Sequence, residues 1–220
     1  MTPTTTNNLD RLAAQILGKP IYDWLLDNIL AEYNKLVGVP IANSDIIRTR
    51  CDKVCTWFCA PKRKGLILYG GVGNGKTTMA KSLFRVVQKL RGQFGHYVEV
   101  NAWKLEQVDF YGTIALRDKY TPLYWLDAIS LTIPDKIQAA TNAAYLFIDD
   151  LGYEPTEMNN YGTKFDAMAM IIAERYRKNI PTIVTSNLDD TQFVARYGEA
   201  IADRLRGGYN HISFTEQSYR

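Results

Sequence analysis

The residues of this chain with the clearest chemistry form a glycine-rich loop, Gly70-Gly71-Val72-Gly73-Asn74-Gly75-Lys76-Thr77, which is followed by Thr78. It fits the phosphate-binding pattern G-x-x-x-x-G-K-[ST], whose glycines let successive backbone N–H groups curl around a phosphate chain. Lys76 is expected to reach the β- and γ-phosphates, and the Thr77 hydroxyl is expected to bind Mg²⁺. The pattern predicts that all nine residues contribute to a site for ATP or GTP.

Two more polar groups follow apolar stretches further along the chain. Asp149 and Asp150 come after Tyr-Leu-Phe-Ile, and Asn187 comes after Thr-Ile-Val-Thr-Ser. Taken alone, the Asp-Asp sequence and the Ser-Asn sequence that ends at Asn187 could each be an ordinary turn after a strand. Together with the glycine-rich loop, Asp149 is predicted to bind Mg²⁺, mostly through water, and Asp150 to polarise the attacking water. Asn187, with both donors and an acceptor, is predicted to hold that water.

These groups need a scaffold that brings them to one place, and the pattern from Gly65 onward alternates strands with helices. Strands are predicted at Leu66–Tyr69, Tyr97–Asn101, Ala144–Asp149, Thr182–Ser186 and His211–Phe214. Helices are predicted at Lys76–Arg91, Lys164–Lys178, Thr191–Tyr197 and Glu199–Arg206. Short apolar strands separated by helices indicate an α/β fold with a mostly parallel sheet between helices. The glycine-rich loop then joins the first strand to a helix whose N-terminus favours phosphate.

Residues 1–60 are predicted to form a small helical segment, with one helix closed by Gly38. The cysteines at 51, 55 and 59 are spaced for one helical face, which could serve a metal if a fourth ligand were near. Ile47, Val54 and Phe58 share that face, so we interpret the cysteines as part of an apolar stripe.

Composition and charge exclude several classes of protein. The net charge of +3 is too small to indicate nucleic-acid binding without a local basic patch. The first ten residues have neither a basic nor an apolar region, and no apolar run approaches the length of a membrane span. A cytoplasmic protein without a membrane partner is therefore expected.

Four phrases of the sequence resemble the AAA+ ATPases, most closely the branch that holds the DnaC-type helicase loaders and the IstB-type transposition ATPases. They are GLILYGGVGNGKTT, LFIDDLGYEP, TIVTSNL and RYGEAIADRLRGG, the last followed by SFTEQSYR. The resemblance covers about residues 60–220, and the ending is most similar to that of the loaders.

The resemblance implies a P-loop AAA+ domain over 61–220 with a five-stranded core sheet, ATP rather than GTP, Mg²⁺, and assembly into a ring or spiral. It implies that Asp149 is the Walker B metal ligand and that Asn187 is sensor 1. It also implies that Arg204 is an arginine finger given to a neighbour's site, and that Arg220 is the sensor 2 arginine on the γ-phosphate. Residues 1–60 would dock a partner or pack against the domain.

Two departures from the family pattern lead to further expectations. Asp150 stands where AAA+ proteins usually have Glu, and its shorter side chain predicts slow ATP hydrolysis that DNA or a partner stimulates. Only sixteen residues follow Arg204, so no C-terminal lid domain is expected.

The resulting hypothesis is a helicase loader-like ATPase in DNA replication that binds a replicative helicase and single-stranded DNA. The segment 104–142 interleaves rings with cations, as single-strand binding requires, although core packing explains the rings equally well. These residues are Lys104, Phe110, Tyr111, Arg117, Lys119, Tyr120, Tyr124 and Trp125. An IstB-type transposition helper that binds a transposase is the alternative, and a P-loop kinase is a third possibility.

Overall fold

The structure, a computed structural model, describes residues 17–38, 45–59, 63–105, 123–128, 134–160 and 163–215. These residues fall into two compact units. The helical unit comprises the described residues up to 59 together with 81–105. The sheet unit comprises 63–80 together with the described residues from 123 onward. None of the described helices is both long enough and apolar enough to cross a membrane.

The helical unit is built around two amphipathic helices, α1 (Ile21–Val37) and α2 (Asp45–Cys59), which pack on each other. Helix α1 ends as predicted at Gly38, whose φ of 76° gives the left-handed conformation that glycine adopts easily. The apolar stripe of α2 is buried as expected, since its members have no exposed surface or almost none. They are Ile47, Cys51, Val54, Cys55 and Phe58. Helix α3 (Lys76–Leu105) begins in the sheet unit and continues in this one.

The sheet unit contains a five-stranded parallel sheet, in agreement with the predicted fold class. Its strands lie in the order β2-β3-β6-β1-β7, so the chain crosses over between most neighbours. In chain order the seven described strands are β1 (Gly65–Gly70), β2 (Leu123–Asp127), β3 (Tyr145–Leu151), β4 (Met158–Asn160), β5 (Thr163–Phe165), β6 (Thr182–Ser186) and β7 (Tyr209–Phe214). Strands β4 and β5 form a separate antiparallel hairpin.

Helices cover one face of this sheet with a continuous core. They are α4 (Pro134–Asn142), α5 (Ala167–Lys178), α6 (Asp190–Tyr197) and α7 (Glu199–Gly208). Their apolar side chains, among them Met168, Ile171 and Leu205, pack with Ile148 and Val184 of the strands. Residues on the opposite face, such as Leu66, Phe147 and Ile183, are also buried, which explains why the central strands have apolar residues on both faces.

One predicted strand was wrong. Tyr97–Asn101 lies inside α3, and the fifth strand is β2, within the segment whose secondary structure the sequence left open. The valines at 98 and 100 favour a strand locally, but strand propensity depends strongly on neighbours. A helix that has already formed gains one hydrogen bond for each residue that it adds, without a second nucleation cost. Helix α3 therefore continues through these valines.

Helix α5 begins three residues later than predicted. The Asp166 side chain accepts a hydrogen bond from the Ala169 backbone N–H at 2.9 Å and caps the helix. The predicted first residues of that helix, from Lys164, belong instead to β5. The capping aspartate is a stronger start signal than Lys164, because Asp is a preferred N-cap residue.

Candidate nucleotide site

The glycine-rich loop lies at the carboxyl end of β1 and is fastened to the end of β7. Gly70 has a φ of 139°, and a Cβ there would stand 2.1 Å from the carbonyl oxygen of Phe214, so only glycine fits. The buried Asn74 side chain donates to the same oxygen at 2.7 Å. Gly73 and Gly75 also have positive φ, at 81° and 88°. Asn74 therefore shapes the loop, a role that the sequence alone did not suggest.

Lys76 is buried inside this loop. Its Nζ donates to the carbonyl oxygens of Gly70 at 2.8 Å and Gly71 at 2.6 Å, and the residue is only 5% exposed. Burial lowers the pKa of Lys76, while the charges of Asp150 and Asp149 oppose that shift. An ammonium group held by loop carbonyls can exchange them for phosphate oxygens, which bind it more strongly.

Asp149 joins the loop to the centre of the sheet. Its Oδ1 accepts hydrogen bonds from the Thr77 hydroxyl at 2.9 Å and from the Thr185 hydroxyl at 2.7 Å. Thr77 begins α3, Asp149 lies in β3 and Thr185 lies in β6, so three separate elements meet at one oxygen. Carboxylate and hydroxyl oxygens are the ligands that Mg²⁺ prefers, and Thr77 and Asp149 are the pair expected to hold it.

Asp150 occupies an unusual backbone conformation next to this point. The register between β3 and β6 shifts between Ile148 and Leu151, and Asp150 has a φ of 56°. Its backbone N–H donates to the Thr185 hydroxyl oxygen at 2.9 Å. The irregularity turns the chain at the second carboxylate, whose charge acts on Lys76.

Asn187 lies at the same edge of the sheet, because Ser186 pairs with Leu151 just beyond the two carboxylates. Its Nδ2 donates to the hydroxyl oxygen of Tyr153 at 3.2 Å. Tyr153 itself is about half exposed, on the loop that follows β3. The structure thus brings Asn187 to the predicted end of the sheet and gives it a tyrosine partner that the sequence did not indicate.

Arg204 is not gathered with these groups within the chain. It lies on α7, half-buried, and lines a cavity of about 580 Å³ between helices of the sheet unit. The other lining residues are Ile137, Thr141, Met170, Ala173, Glu174, Tyr176 and Arg177. Among the described residues, no carboxylate lies within ion-pair distance of Arg204, whereas Arg206 on the same helix pairs with Asp190 and Glu199. Arg220 lies outside the described residues.

Thr185 is a site residue that sequence reasoning missed. Its signal was a hydroxyl residue near the end of a short strand, and the structure buries every residue of that strand. A buried hydroxyl needs a partner, so the sequence could have indicated that Thr185 makes a hydrogen bond. The identity of the partner depends on the order of the strands, which places β6 next to β3.

The sequence analysis also missed a network of charged residues next to the loop that follows β3. Glu154 accepts hydrogen bonds from the Gly152 backbone N–H at 2.9 Å and from Arg196 at 2.6 Å. Arg196 also donates to Asp166, the cap of α5, at 2.6 Å. These contacts fix the loop after the two aspartates to α5 and α6. The partners are far apart in sequence, so only the fold reveals the network.

Of the aromatic and basic residues singled out in segment 104–142, some lie in described elements and the others do not. Tyr124 and Trp125 lie in β2, where the Trp125 ring stacks on Phe147 with centroids 5.9 Å apart. For these two the packing interpretation holds. Lys104 is part of α3. The remaining five, Phe110, Tyr111, Arg117, Lys119 and Tyr120, lie outside the described residues.

The buried cysteines favour the packing interpretation. Burial raises the pKa of Cys51 to about 12 and also raises that of Cys55, so both thiols stay protonated near neutral pH. Over the part of the chain that the structure describes, no group of three or more His, Cys, Asp and Glu side chains is arranged to hold a metal ion.

Comparisons with known proteins give structural similarity alone. No protein-family profile matches the chain, and no curated protein matches its sequence. A structure of DnaI is 20% identical with a TM-score of 0.48, over 81% of this chain and 86% of that one. A structure of the DnaC helicase loader is 16% identical with a TM-score of 0.43, over 78% of this chain and 91% of that one. AMPPCP-bound DnaA from Aquifex aeolicus is 13% identical with a TM-score of 0.45, over 77% of this chain and 46% of that one.

These structural neighbours include a DnaC-type loader, as the resemblance of the four sequence phrases anticipated. At such identities and TM-scores they assign no role to a residue. The roles of Lys76, Asp149, Asn187 and Arg204 therefore rest on the geometry and chemistry of this chain.

Proposed function

We propose that this protein binds ATP with Mg²⁺ at the glycine-rich loop and hydrolyses it. The observation that carries the proposal is the hydrogen bond between Thr77 and Asp149, beside a buried Lys76. The residues predicted from three separate phrases of the sequence meet at one end of the sheet, where ligands of parallel α/β folds bind. A plain glycine-rich turn would require neither the buried ammonium nor the carboxylate.

In such a reaction, separate groups of residues bind the phosphates, hold Mg²⁺ and activate the attacking water. Loop N–H groups and Lys76 bind the phosphates, while Thr77 and Asp149 hold Mg²⁺, which neutralises charge on the phosphate oxygens. Asp150 orients and polarises the attacking water, helped by Asn187. Asn187 donates one amide N–H to Tyr153, and its other N–H and its carbonyl oxygen remain available to hold that water.

We further propose that a neighbouring copy completes the site with Arg204. Two observations support this role: Arg204 lies away from the P-loop residues of its own chain, and it has no ion-pair partner among the residues described. Copies that share sites in this way would assemble into a ring or spiral. Arg204 of each copy would stabilise charge on the phosphoryl group transferred in its neighbour's site. Arg220 would contact the γ-phosphate, as the resemblance implies.

Mixing two inactive variants tests the shared site. Arg204→Ala should bind ATP normally yet lose turnover by about 1,000-fold, the usual value of an arginine finger. Asp150→Asn should also be inactive. Mixtures of the two should recover activity, because some interfaces then pair an intact Asp150 with an intact Arg204.

Arg206→Ala is the matched control, since Arg206 is on the same helix but is ion-paired within its own chain. It should keep most of the activity. Absence of recovery at every mixing ratio would rule out the shared site. Turnover that persists at dilutions where the protein is monomeric would indicate the kinase alternative instead.

The cellular role that we propose is a helicase loader-like factor in DNA replication, which binds a replicative helicase and single-stranded DNA in the cytoplasm. The closing phrases RYGEAIADRLRGG and SFTEQSYR support this role. In this proposal the segment 1–60 docks the partner and residues 61–220 form the ATPase domain. The phrase LFIDDLGYEP favours the alternative, an IstB-type helper for a transposase.

Capture of partners from the native host distinguishes the two roles. Tagged protein with a non-hydrolysable ATP analogue should retain a replicative helicase, identified by mass spectrometry, and the Lys76→Met variant should retain much less. Recovery of a transposase would move the protein to the transposition branch. For DNA, substitution of Tyr111 and Lys119 should weaken single-strand binding, and unchanged affinity would remove that segment from the proposal.

A further inference from the structure

The Thr185 hydroxyl contacts both of the carboxylate residues assigned to the nucleotide site. Thr185 is completely buried in β6, the strand next to β3. Its Oγ1 donates to Asp149 Oδ1 at 2.7 Å and accepts the backbone N–H of Asp150 at 2.9 Å. We infer that Thr185 is a positioning residue that fixes the metal-binding carboxylate and the water-polarising carboxylate together. The inference rests on the proposed ATPase function.

The direction of each hydrogen bond follows from the chemistry of the groups. A backbone N–H can only donate, so the hydroxyl oxygen must accept from Asp150. The single hydroxyl proton is then left for the Asp149 carboxylate, which can only accept when ionised. Thr185 therefore has one arrangement that satisfies both neighbours, and this arrangement holds Asp149 in a single orientation.

Fixing Asp149 also fixes Thr77. Oδ1 of Asp149 accepts hydrogen bonds from the hydroxyls of Thr77 at 2.9 Å and Thr185 at 2.7 Å. Rotation of the carboxylate would break both contacts at once. Groups behind metal ligands commonly tune metal affinity by 10–100-fold through this kind of orientation.

The second contact acts on the backbone. Asp150 has a φ of 56°, a left-handed conformation that residues other than glycine adopt only at a cost. It falls where the register between β3 and β6 shifts, between Ile148 and Leu151. The Thr185 oxygen accepts the Asp150 N–H at this shift, and it thereby stabilises the turn of the chain at Asp150.

A merely structural threonine would have the same burial but would not influence metal binding. Thr185→Val keeps the shape of the side chain and removes the hydroxyl, whereas Thr185→Ser keeps the hydroxyl. Ser186→Ala is the matched control, because the Ser186 hydroxyl donates to the Leu151 carbonyl oxygen at 2.7 Å and does not contact Asp149. It disturbs the same strand pair without touching the carboxylate.

Manganese(II) is the probe, because it takes oxygen ligands as Mg²⁺ does and reports its binding by electron paramagnetic resonance. In the presence of ATP analogue, Thr185→Val should bind Mn²⁺ about 10-fold more weakly than wild type. Its affinity for the nucleotide in EDTA should stay within about twofold, and its turnover should fall 10–100-fold. Thr185→Ser should restore both metal affinity and turnover, and Ser186→Ala should match wild type in metal affinity.

Wild-type Mn²⁺ affinity in Thr185→Val, with nucleotide binding intact, would overturn the positioning role and leave the ATPase proposal standing. Equal ATP binding by wild type and Lys76→Met would instead overturn the proposed function itself. Thermal unfolding checks that each variant is folded. If the valine variant does not fold, Thr185→Cys takes its place, since it has a similar size and a much weaker hydrogen-bonding group.

Discussion

Lys76 and Arg175 are two buried cations of the sheet unit that lie at opposite ends of the parallel strands. Lys76 follows the carboxyl end of β1, and its ammonium donates to two loop carbonyls close to two aspartates. Arg175 lies at the amino ends of β3 and β6 and has no exposed surface. Its guanidinium donates at 2.5–2.8 Å to the carbonyl oxygens of Ala140, Ala143 and Pro181 and to the Thr182 hydroxyl.

The difference shows how one sheet uses buried charge for two purposes. The planar guanidinium of Arg175 makes several directed hydrogen bonds to groups that are fixed by the fold, including carbonyls at the end of α4. The ammonium of Lys76 is a compact charge on a flexible side chain and is held by loop carbonyls, so its partners can be exchanged. The first cation stabilises the fold, and the second is available to a ligand.

The largest expected effect is on folding, from Arg175→Met. Methionine fills much of the volume but leaves several buried carbonyl oxygens without donors, so the free energy of unfolding should fall by about 3–5 kcal/mol. Denaturation with urea measures this loss. Arg177→Met is the matched control, because Arg177 is exposed on the same helix and forms its ion pair among the described residues with Glu174. A loss below about 1 kcal/mol for Arg175→Met would refute its structural role.

The next effect is on the nucleotide, from Lys76→Met. Loss of the charged donor should weaken ATP binding by about 10–100-fold and turnover by about 100-fold or more. The unfolding free energy should change by only about 1 kcal/mol, because the substitution also removes the cost of burying an ammonium. Titration with a fluorescent ATP analogue measures binding.

Lys81→Met, on the exposed side of the same helix, is the control and should bind ATP as wild type does. Together the two methionine substitutions should separate stability from function. A Lys76→Met protein that unfolds as easily as Arg175→Met would break the distinction between the two cations.

The smallest expected effect is a loss of stability at acid pH that comes from a third buried charge, Glu32, and that Arg175 should not show. Glu32 of α1 is buried and paired with Lys89, Lys35 and Arg85, and its hydrogen bond from Lys89 is the main cause that lowers its pKa to about 2. The unfolded-state value is near 4.5. Because the pKa is depressed in the folded state, the stability from Glu32 is complete above about pH 4.5 and disappears as the pH falls towards 2.

Urea denaturation of wild type and Glu32→Gln at several pH values tests this dependence. The two should differ most above pH 4.5 and converge as the pH approaches 2. Burial lowers the pKa of Arg175 only to about 10, so the loss caused by Arg175→Met should be the same at every pH in that range. A constant difference between wild type and Glu32→Gln would show that the paired lysines are not responsible.

Part of the fold was predictable because the signals are local. The glycine pattern from Gly70 to Lys76 and the apolar run before Asp149 each specify a loop or a strand within a few residues. The misplaced strand at Tyr97–Asn101 shows the limit, since local propensity cannot tell whether a preceding helix will stop. Strand β2 was missed for a different reason, because its aromatic residues fit both a sheet and a nucleic-acid surface.

The sequence by itself determined the chemistry of this protein: which side chains could bind phosphate and metal, and that they follow parallel strands. Only the tertiary structure decided how those side chains are held. Thr185 meets Asp149, Asn74 meets Phe214 and Arg175 meets Ala143 because the sheet order places segments distant in sequence side by side. Spacing along the chain encodes the type of each group, but hydrogen-bond partners depend on directions and distances that exist only once the strands have paired.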